Sequence, residues 1–254
     1  MISASPRFRT RLARTAADLR ATQRLRYRVF VTELGASGPM VDHDAKIEAD
    51  RFDAHADHLL LEDLARPSAP VVGVYRVMTA DQARAAGGFS TEAEFDIAPL
   101  LTSGRRLLEL GRSCLAPAYR GGPAMMHLFE ALAQHVARTQ SEVIFGLASF
   151  HGTDPERLRQ PLRYLHQHHL APAALRPHAT GPGAVPPDTT SVTDRKAALR
   201  QVPALIKAYL RLGATLGAGA CVDAAFNTTD VCIVLDTATM SPAQRARFGQ
   251  GQGA

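Results

Sequence analysis

One acidic residue, Glu109, stands in an otherwise nearly uncharged segment, LLELGRSCLAP at 107–117. The segment has the apolar composition of a buried strand, and a carboxylate buried there holds a proton more tightly than one in water. Such a group can accept a proton from an ammonium substrate, directly or through water, which is general-base chemistry. The alternative is an ion pair from Glu109 to Arg112 or Arg76 that only ties strands together.

The sequence gives less support for a metal site or a nucleotide-binding site than for acid–base chemistry. The three cysteines lie in apolar segments, without a Cys/His pair at zinc spacing, and are expected to be reduced core residues. His166, His168 and His169 are too close together on one predicted helix to complete a metal site. No Gly-x-Gly-x-x-Gly follows a first strand and no P-loop occurs, which disfavours dinucleotide oxidoreductases and P-loop nucleotide hydrolases. We therefore expect no metal site.

The elements that must position Glu109 follow from the hydropathy pattern. Alternation over 8–12 predicts a first strand, and a capping box at Thr15–Asp18 opens a helix that runs to Leu34, with Gly35 ending it. Further strands are predicted at 58–62, 71–79, 107–117, 143–150, 220–229 and 230–239, and further helices after Gly121-Gly122-Pro123 and at 202–214.

Strands and helices alternate in the middle of the chain and hairpins flank them. This order predicts an α/β fold with a mixed central sheet flanked by helices. The segment 151–199 lacks a clear pattern, because a His- and Arg-rich helical piece runs into a stretch with five prolines in twenty residues. We interpret 151–199 as a helical and Pro-rich insertion. The 254 residues are then one domain, with a core at about 7–150 and 200–240.

Basic residues outnumber acidic ones by 29 to 24, and all but three of them are arginines. Eight arginines fall within the first 28 residues, against one acid, Asp18. An acidic protein, an anionic membrane surface or nucleic acid would fit this excess, and solvated surface arginines are the alternative. Nucleic acid is disfavoured because the aromatic residues, at 6%, do not interleave with the basic ones.

No apolar stretch approaches the roughly 18 to 20 residues that cross a bilayer, and the start MISASPRFRTRLAR lacks the apolar centre of a signal peptide. We expect a cytoplasmic protein, whose membrane contact would be peripheral and on the inner face of the cytoplasmic membrane.

The element order and the segment LLELGRSCLAPAYRGGPAMMHLFEAL resemble the GCN5-related N-acetyltransferase (GNAT) superfamily. In that fold a strand splays from its neighbour at a bulge, exposing backbone groups to an acyl thioester, and the next turn cradles phosphate at a helix N-terminus. The resemblance assigns phosphopantetheine binding to Arg120, Gly121 and Gly122. Pro123 stands at one of the superfamily's glycine positions and has no N–H, so a carrier-protein phosphopantetheine is expected rather than tightly bound coenzyme A.

A closer resemblance lies in LRATQRLRYRVFVTELG, EADRFDAHADHLLL, GVYRVMT and LELGRSCL. These segments look like the branch shared by acyl-homoserine-lactone synthases and ornithine lipid acyltransferases. The chain contains no tryptophan, which the lactone synthases place shortly after the first segment. The later part, PALIKAYLRLG through FNTTDVCIVL, resembles the ornithine N-acyltransferase family.

This resemblance implies transfer of a 3-hydroxyacyl group from acyl-acyl carrier protein to the α-amine of L-ornithine, forming lyso-ornithine lipid. It implies no tightly bound cofactor, the acyl-phosphopantetheine of acyl carrier protein being a co-substrate. The implied partners are that carrier protein, L-ornithine and an anionic membrane surface. Glu109 is the implied base, and Tyr209 the implied general acid, unless it only packs its helix onto the sheet. The substrate-binding residues implied by motif are Arg28, Phe30, Asp50, Asp53, Arg76 and Arg112.

Asp50 and Asp53, beside Arg28 and Arg76, suit the charges of ornithine, which carries a side-chain ammonium and an α-carboxylate. A solvated acidic loop is the alternative for these carboxylates. Another long-chain amino-acid N-acyltransferase or a lactone synthase is the alternative activity. A non-catalytic protein that binds a carrier protein or a membrane surface is the hypothesis from a different class, and the arginine-rich start of the chain supports it.

Overall fold

The computed structural model describes residues 7–249, except 67, 69 and 193. The strands in these residues are β1 (Phe8–Leu12), β2 (Val41–Asp42), β3 (Ile47–Glu48), β4 (Asp57–Asp63), β5 (Val71–Thr79), β6 (Phe95–Asp96), β7 (Leu107–Leu115), β8 (Val143–His151), β9 (His178–Ala179), β10 (Ala184–Val185), β11 (Thr215–Leu216), β12 (Ala220–Asp223) and β13 (Thr228–Asp236). The helices are α1 (Ala16–Arg26), α2 (Ala80–Ala86), α3 (Ala98–Leu101), α4 (Ala124–Thr139), α5 (Arg159–His169), α6 (Arg195–Gln201), α7 (Ala204–Arg211) and α8 (Pro242–Gly249). None of the helices in the described ranges is both long and apolar enough to cross a membrane.

The central feature is a nine-stranded sheet in the order β1-β4-β5-β7-β8-β13-β12-β10, with β11 also paired to β13. The pair β7–β8 is parallel, and the other strand pairs of this sheet are antiparallel. A parallel pair needs a crossover, and α4 supplies it between β7 and β8. The predicted mixed α/β sheet is confirmed.

Helices cover both faces of the sheet. On one face, α4 buries Leu128, Phe129 and Leu132 in the largest core cluster, to which α5, α6 and α7 also contribute. On the other face, α1 packs against β4 and β5, while α2 and α3 pack beside β7 and β8. Cys114, Cys221 and Cys232 are buried and unpaired, as the sequence predicts.

The first helix begins at the predicted cap, where the side chain of Thr15 accepts from the backbone N–H of Asp18 and the Asp18 carboxylate accepts from that of Thr15. It extends through Glu33, but Tyr27–Glu33 is a π-helix rather than an α-helix. The hydrogen bond from Leu34 N to Val29 O, 3.2 Å, is of the wider π type. Such widened turns often occur at functional sites.

The last hairpin of the structure differs from the predicted one. Residues 220–229 were predicted as one strand, but β12 ends at Asp223 and the chain turns before Thr228. The Asp223 carboxylate stabilises this turn by accepting from the N–H groups of Ala225, 2.8 Å, and Phe226, 3.1 Å. Asn227 then has a φ of 54°, a left-handed conformation that asparagine tolerates.

The segment 151–199 contributes to the main body of the fold. Leu162 and Leu165 of α5 and Ala198 of α6 are buried in the largest core cluster, and β10 pairs with β12 at the edge of the sheet. The interpretation of this segment as an insertion stays a prediction.

Candidate active site

The strands β7 and β8 pair only from Leu107 opposite Val143 to Leu110 opposite Gly146, and then diverge. A bulge on β7 sets this point, because Arg112 and Ser113 together face Tyr75 of β5, and Arg112 has a φ of 51°. The divergence is the splay that the GNAT resemblance predicts. It opens a cavity of about 250 Å³ lined by Gly111–Ser113, Leu147–Ser149, Phe30 and Leu34.

Gly146 is required at the apex of the splay. A Cβ built on Gly146 would lie 2.0 Å from the carbonyl oxygen of Leu110, a distance that real Cβ atoms do not reach. The backbone of Leu110 therefore occupies the space that a side chain at position 146 would need, at the point where the strands part.

A network of buried charges lies beside the cavity. Three arginines and three acids form it: Arg26, Arg76, Arg112, Glu48, Asp50 and Asp53. Arg26 is fully buried, pairs with Glu48, and donates to both oxygens of Asp53 at 2.7 and 2.9 Å. Arg76 donates to Asp50 at 2.5 Å and to Asp53 at 3.1 Å, and Arg112 reaches Asp50 at 2.9 Å. The six formal charges cancel within the network.

The predicted cation-binding role of Asp50 and Asp53 is not supported by this arrangement. Burial opposes the ionisation of both carboxyls, but the neighbouring arginines outweigh it and hold the pKa of each below its usual range. Both therefore stay ionised and neutralised by arginines of the protein itself. The sequence placed Asp50 and Asp53 beside Arg28 and Arg76; the structure keeps Arg76 as a partner and has Arg112 and Arg26 in place of Arg28. Neither the solvated loop nor the free cation site describes these carboxylates.

Arg28 lies outside the candidate site. It is exposed and lines a different surface hollow, together with Arg24 and Lys46. The arginine of this helix that joins the charge network is Arg26, four residues before Phe30, which lines the cavity. The helical periodicity could have identified Arg26, because it lies next to Leu25 and three residues before Val29, two apolar residues that are buried.

A second group of carboxylates, which the sequence analysis missed, faces the cavity. Glu94, Asp223 and Asp230 each offer an oxygen within 4.8 Å of the other two. Burial raises the pKa of Glu94 to about 8, and the charges of Asp230 and Asp223 act in the same direction. Burial likewise raises the pKa of Asp230 to about 6. Among the described residues, no arginine or lysine forms an ion pair with these three carboxylates.

Three oxygen ligands of this kind could hold a divalent cation, with water completing the coordination. The predicted absence of a metal site rested on Cys and His spacing, and oxygen ligands leave no such local signal. Glu94 is far from Asp223 and Asp230 in the chain, and the three meet only because the β12–β13 hairpin and the turn before β6 come together at the cavity. The acidic pair that the sequence singled out, Asp50 and Asp53, instead belongs to the neutral network.

Glu109 is buried, as predicted, but its partners differ from both interpretations. Its carboxylate accepts hydrogen bonds from the backbone N–H groups of Ser90, 3.2 Å, and Thr91, 2.6 Å, and from the Thr91 hydroxyl, 2.7 Å. It forms no ion pair with Arg76 or Arg112, and it is not among the described residues that line the cavity. Glu109 therefore fixes the helical turn Ser90–Ala93, directly before Glu94. A role as base stays a prediction.

Tyr209 lies on α7 beside the apex of the splay. It borders a small space with Leu110, Gly146 and Leu147, and its hydroxyl is 2.8 Å from that of Tyr75. Burial raises the pKa of Tyr209 well above its usual value, and the neighbouring Tyr75 acts in the same direction. Tyr209 thus keeps its proton at neutral pH, as a proton donor must. Its predicted role as general acid is compatible with this position and stays a prediction.

The predicted phosphate turn precedes α4 on the surface. Gly121, with a φ of 73°, and Gly122 are exposed, and their N–H groups lie before the first turn of a 16-residue helix. Arg120 forms a two-pronged ion pair with Glu33 of the π-helix, at 2.5 and 2.8 Å. Its guanidinium lowers the pKa of Glu33, chiefly through these hydrogen bonds.

The model of the acetyltransferase (GNAT) domain family matches residues 25–130. The fold is similar to the crystal structure of the AHL synthase LasI, with a TM-score of 0.53 and 12% identity over 98% of both chains. It is also similar to BjaI, a CoA-dependent acyl-homoserine lactone synthase, with a TM-score of 0.52 and 13% identity over 92% of this chain and 82% of the other. The splayed strands and these similarities define a protein of the GNAT fold.

The sequence is 51% identical to L-ornithine N(alpha)-acyltransferase of Rhodobacter capsulatus over the full length of both chains. It is 39% identical to the enzyme of the same name from Brucella abortus, over 94% of this chain and 88% of that one. The chain belongs to the L-ornithine N(alpha)-acyltransferase family, which confirms the resemblance found in the sequence.

Proposed function

We propose that this protein transfers a fatty acyl group, of the 3-hydroxyacyl type, from acyl-acyl carrier protein to the α-amine of L-ornithine. The product is lyso-ornithine lipid. The observation that carries the proposal is the cavity at the β7–β8 splay, which brings unpaired strand backbone, Arg112 and a group of carboxylates together. Membership in the L-ornithine N(alpha)-acyltransferase family supports the choice of amine.

The splay supplies the polar groups that acyl transfer needs. Beyond Leu110 and Gly146, β7 and β8 no longer bond to each other, so their facing N–H groups can donate to a thioester carbonyl. The amine attacks the carbonyl carbon, its nitrogen releases a proton to water, the C–S bond breaks, and the thiolate takes up a proton. Tyr209, at the apex, is the proposed donor of that proton.

The proposed acyl donor is the phosphopantetheine arm of acyl carrier protein, with no tightly bound cofactor. The N–H groups of Gly121 and Gly122, near the N-terminus of α4, suit a single phosphodiester. Arg120 would turn from Glu33 towards that phosphate. Three arginines along α1 and the π-helix that continues it are exposed: Arg20, Arg24 and Arg28. Their charge suits an acidic carrier protein and a peripheral, anionic membrane surface.

An assay with the purified protein tests this function. With 3-hydroxyacyl carrier protein and a panel of amines, we expect thiol release and an N-acyl product with ornithine. Product from another amine or a homoserine lactone, with none from ornithine, would contradict the proposed acceptor. Binding of carrier protein or anionic vesicles without thiol release from any donor would favour a non-catalytic binding protein.

Glu109→Gln distinguishes a structural role of Glu109, which fixes the turn Ser90–Ala93, from a role as base. The amide NH2 of glutamine would face the N–H of Ser90 or Thr91, so we expect the free energy of unfolding to fall by about 1–3 kcal/mol, together with activity. Urea unfolding and the acyl-transfer assay measure the two effects. A variant that keeps wild-type stability but loses turnover would instead identify Glu109 as the base.

A further inference from the structure

We propose that Glu94, Asp223 and Asp230 bind the side-chain ammonium group of the acceptor and so select a diamino acid over a monoamino acid of the same shape. This inference rests on the proposed function and assigns the specificity of its acceptor site. The three residues are defined here as the carboxylate cluster.

The carboxylate cluster contains hydrogen-bonding atoms that the protein itself leaves unpaired. Asp230 is 4% exposed and Thr228 is 8% exposed, and both line the cavity. Among the described residues, Asp230 Oδ1, Thr228 Oγ1 and Glu94 Oε2 have no hydrogen-bond partner. Buried polar atoms are normally paired, and unpaired ones are costly. An ammonium group, with three donors, can satisfy all three acceptors at once.

The charge of the carboxylate cluster is also unbalanced. The neighbouring network of Arg26, Arg76 and Arg112 with its three acids is neutral, and its members hold each other at hydrogen-bond distance. The carboxylate cluster has no such internal partner in the described part of the chain. Burial, together with the neighbouring carboxylates, raises the pKa of Glu94 to about 8, and burial raises the pKa of Asp230 to about 6. A bound cation would favour the ionised form of both groups.

The rest of the cavity suits an amino acid better than a bare metal ion. Arg112 lies on the same cavity, with its guanidinium 4.5 Å from the ring centre of Phe226. Its Nε and Nη2 donate to Glu48 and Asp50, which leaves Nη1 as the donor that can face an α-carboxylate. Phe30, Leu34 and Leu147 provide apolar contact for a methylene chain. The cavity therefore has a corner with a guanidinium donor, an apolar wall and an anionic corner. These suit the carboxylate, the methylene chain and the side-chain ammonium of ornithine, whose α-amine would then lie towards the splay.

The test compares two acceptors in two variants. Glu94→Gln and Asp230→Asn remove charge with little change of shape, and norvaline has the carbon skeleton of ornithine without the second amine. For ornithine we expect kcat/KM to fall by about 10- to 100-fold in each variant, chiefly through KM. For norvaline, which we expect to be a poor acceptor of the wild type, we expect a change of less than about threefold in each variant. Asp44→Asn, which removes an exposed acid, should change neither value.

The melting temperature of the ligand-free protein provides an independent measurement. Glu94 holds a proton more tightly in the folded state than in the unfolded state, so its ionisation at about pH 8.5 destabilises the fold. We therefore expect Glu94→Gln to raise the melting temperature at that pH, and ornithine to stabilise the wild type more than the variant. A lower melting temperature for Glu94→Gln would overturn the inference, because it would identify a purely structural role.

Other outcomes would also overturn the inference. A parallel loss with ornithine and norvaline would mean that the carboxylate cluster handles the α-amine or its proton. Loss of wild-type activity on chelation, with restoration by Mg²⁺ or Ca²⁺, would identify a metal site. A wild type that acylates ornithine and norvaline equally would defeat the inference alone, whereas a wild type that acylates neither would defeat the proposed function.

Discussion

Replacing Arg26 with methionine is expected to lower the free energy of unfolding by about 3–5 kcal/mol, or to prevent folding. Methionine fills much of the same space but leaves Glu48, which is fully buried, and Asp53 without their main counter-charge. Asp53 would keep only Arg76 as a counter-charge and Glu48 only Arg112, and two carboxylates so poorly compensated in the interior cost far more than the apolar contacts that methionine gains. Denaturant unfolding, or the soluble yield if the variant fails to fold, measures the effect.

Arg28→Met is the matched control for this prediction. Arg28 lies two residues further along the same helix and is exposed, so its replacement should change stability by less than about 0.5 kcal/mol. Adding Glu48→Gln and Asp53→Asn to Arg26→Met should recover part of the lost stability, since it removes the stranded charges. Equal effects of Arg26→Met and Arg28→Met would contradict the distinction drawn between these two arginines.

Gly146→Ala is expected to destabilise the protein by about 1–3 kcal/mol or more and to abolish acyl transfer. The added methyl would lie 2.0 Å from the Leu110 carbonyl oxygen, and a backbone atom cannot rotate out of the way as a side chain can. The strands must then separate earlier, which changes the shape of the splay where the thioester is proposed to bind. Thermal unfolding and the acyl-transfer assay together measure the two effects.

Gly122→Ala serves as the control for stability in that experiment. A Cβ at Gly122 meets nothing within 4 Å, so we expect little change in melting temperature. If Gly146→Ala retained both wild-type stability and full activity, the close approach of Leu110 and Gly146 would not be what sets the splay.

Local signals in the sequence were enough to predict most of the fold. The capping box at Thr15 acts within four residues, and the apolar runs that became β5, β7 and β8 carry their own periodicity. The turn at 224–227 escaped prediction because apolar residues on both sides favour a strand. What reverses the chain there is the hydrogen bond that the Asp223 carboxylate accepts from the backbone N–H of Ala225, together with the left-handed Asn227.

The sequence predicted the residues of the candidate site that lie in recognisable segments, but not those that only the folded chain brings together. Asp50, Asp53, Arg76 and Arg112 lie in segments that match the family, and the structure brings them together. Their mutual neutralisation depends on Arg26, whose burial follows from the face that α1 turns to the sheet. The carboxylate cluster joins Glu94 to Asp223 and Asp230, which lie more than 120 positions further along the chain, and no spacing within one segment could reveal that contact.

The position of β13 in the sheet, between β8 and β12, has a consequence for folding during synthesis. β13 is the last strand of the sheet to be synthesised, yet it pairs along all of β8, from Val143 to His151. Until β13 emerges, the apolar strand VIFGLASF keeps one edge unpaired, the kind of edge that recruits other chains and chaperones. Asp230 lies on β13 and is therefore synthesised with it. The nascent chain therefore meets the repulsion with Glu94 only in the step that closes the sheet, when most other contacts are already formed.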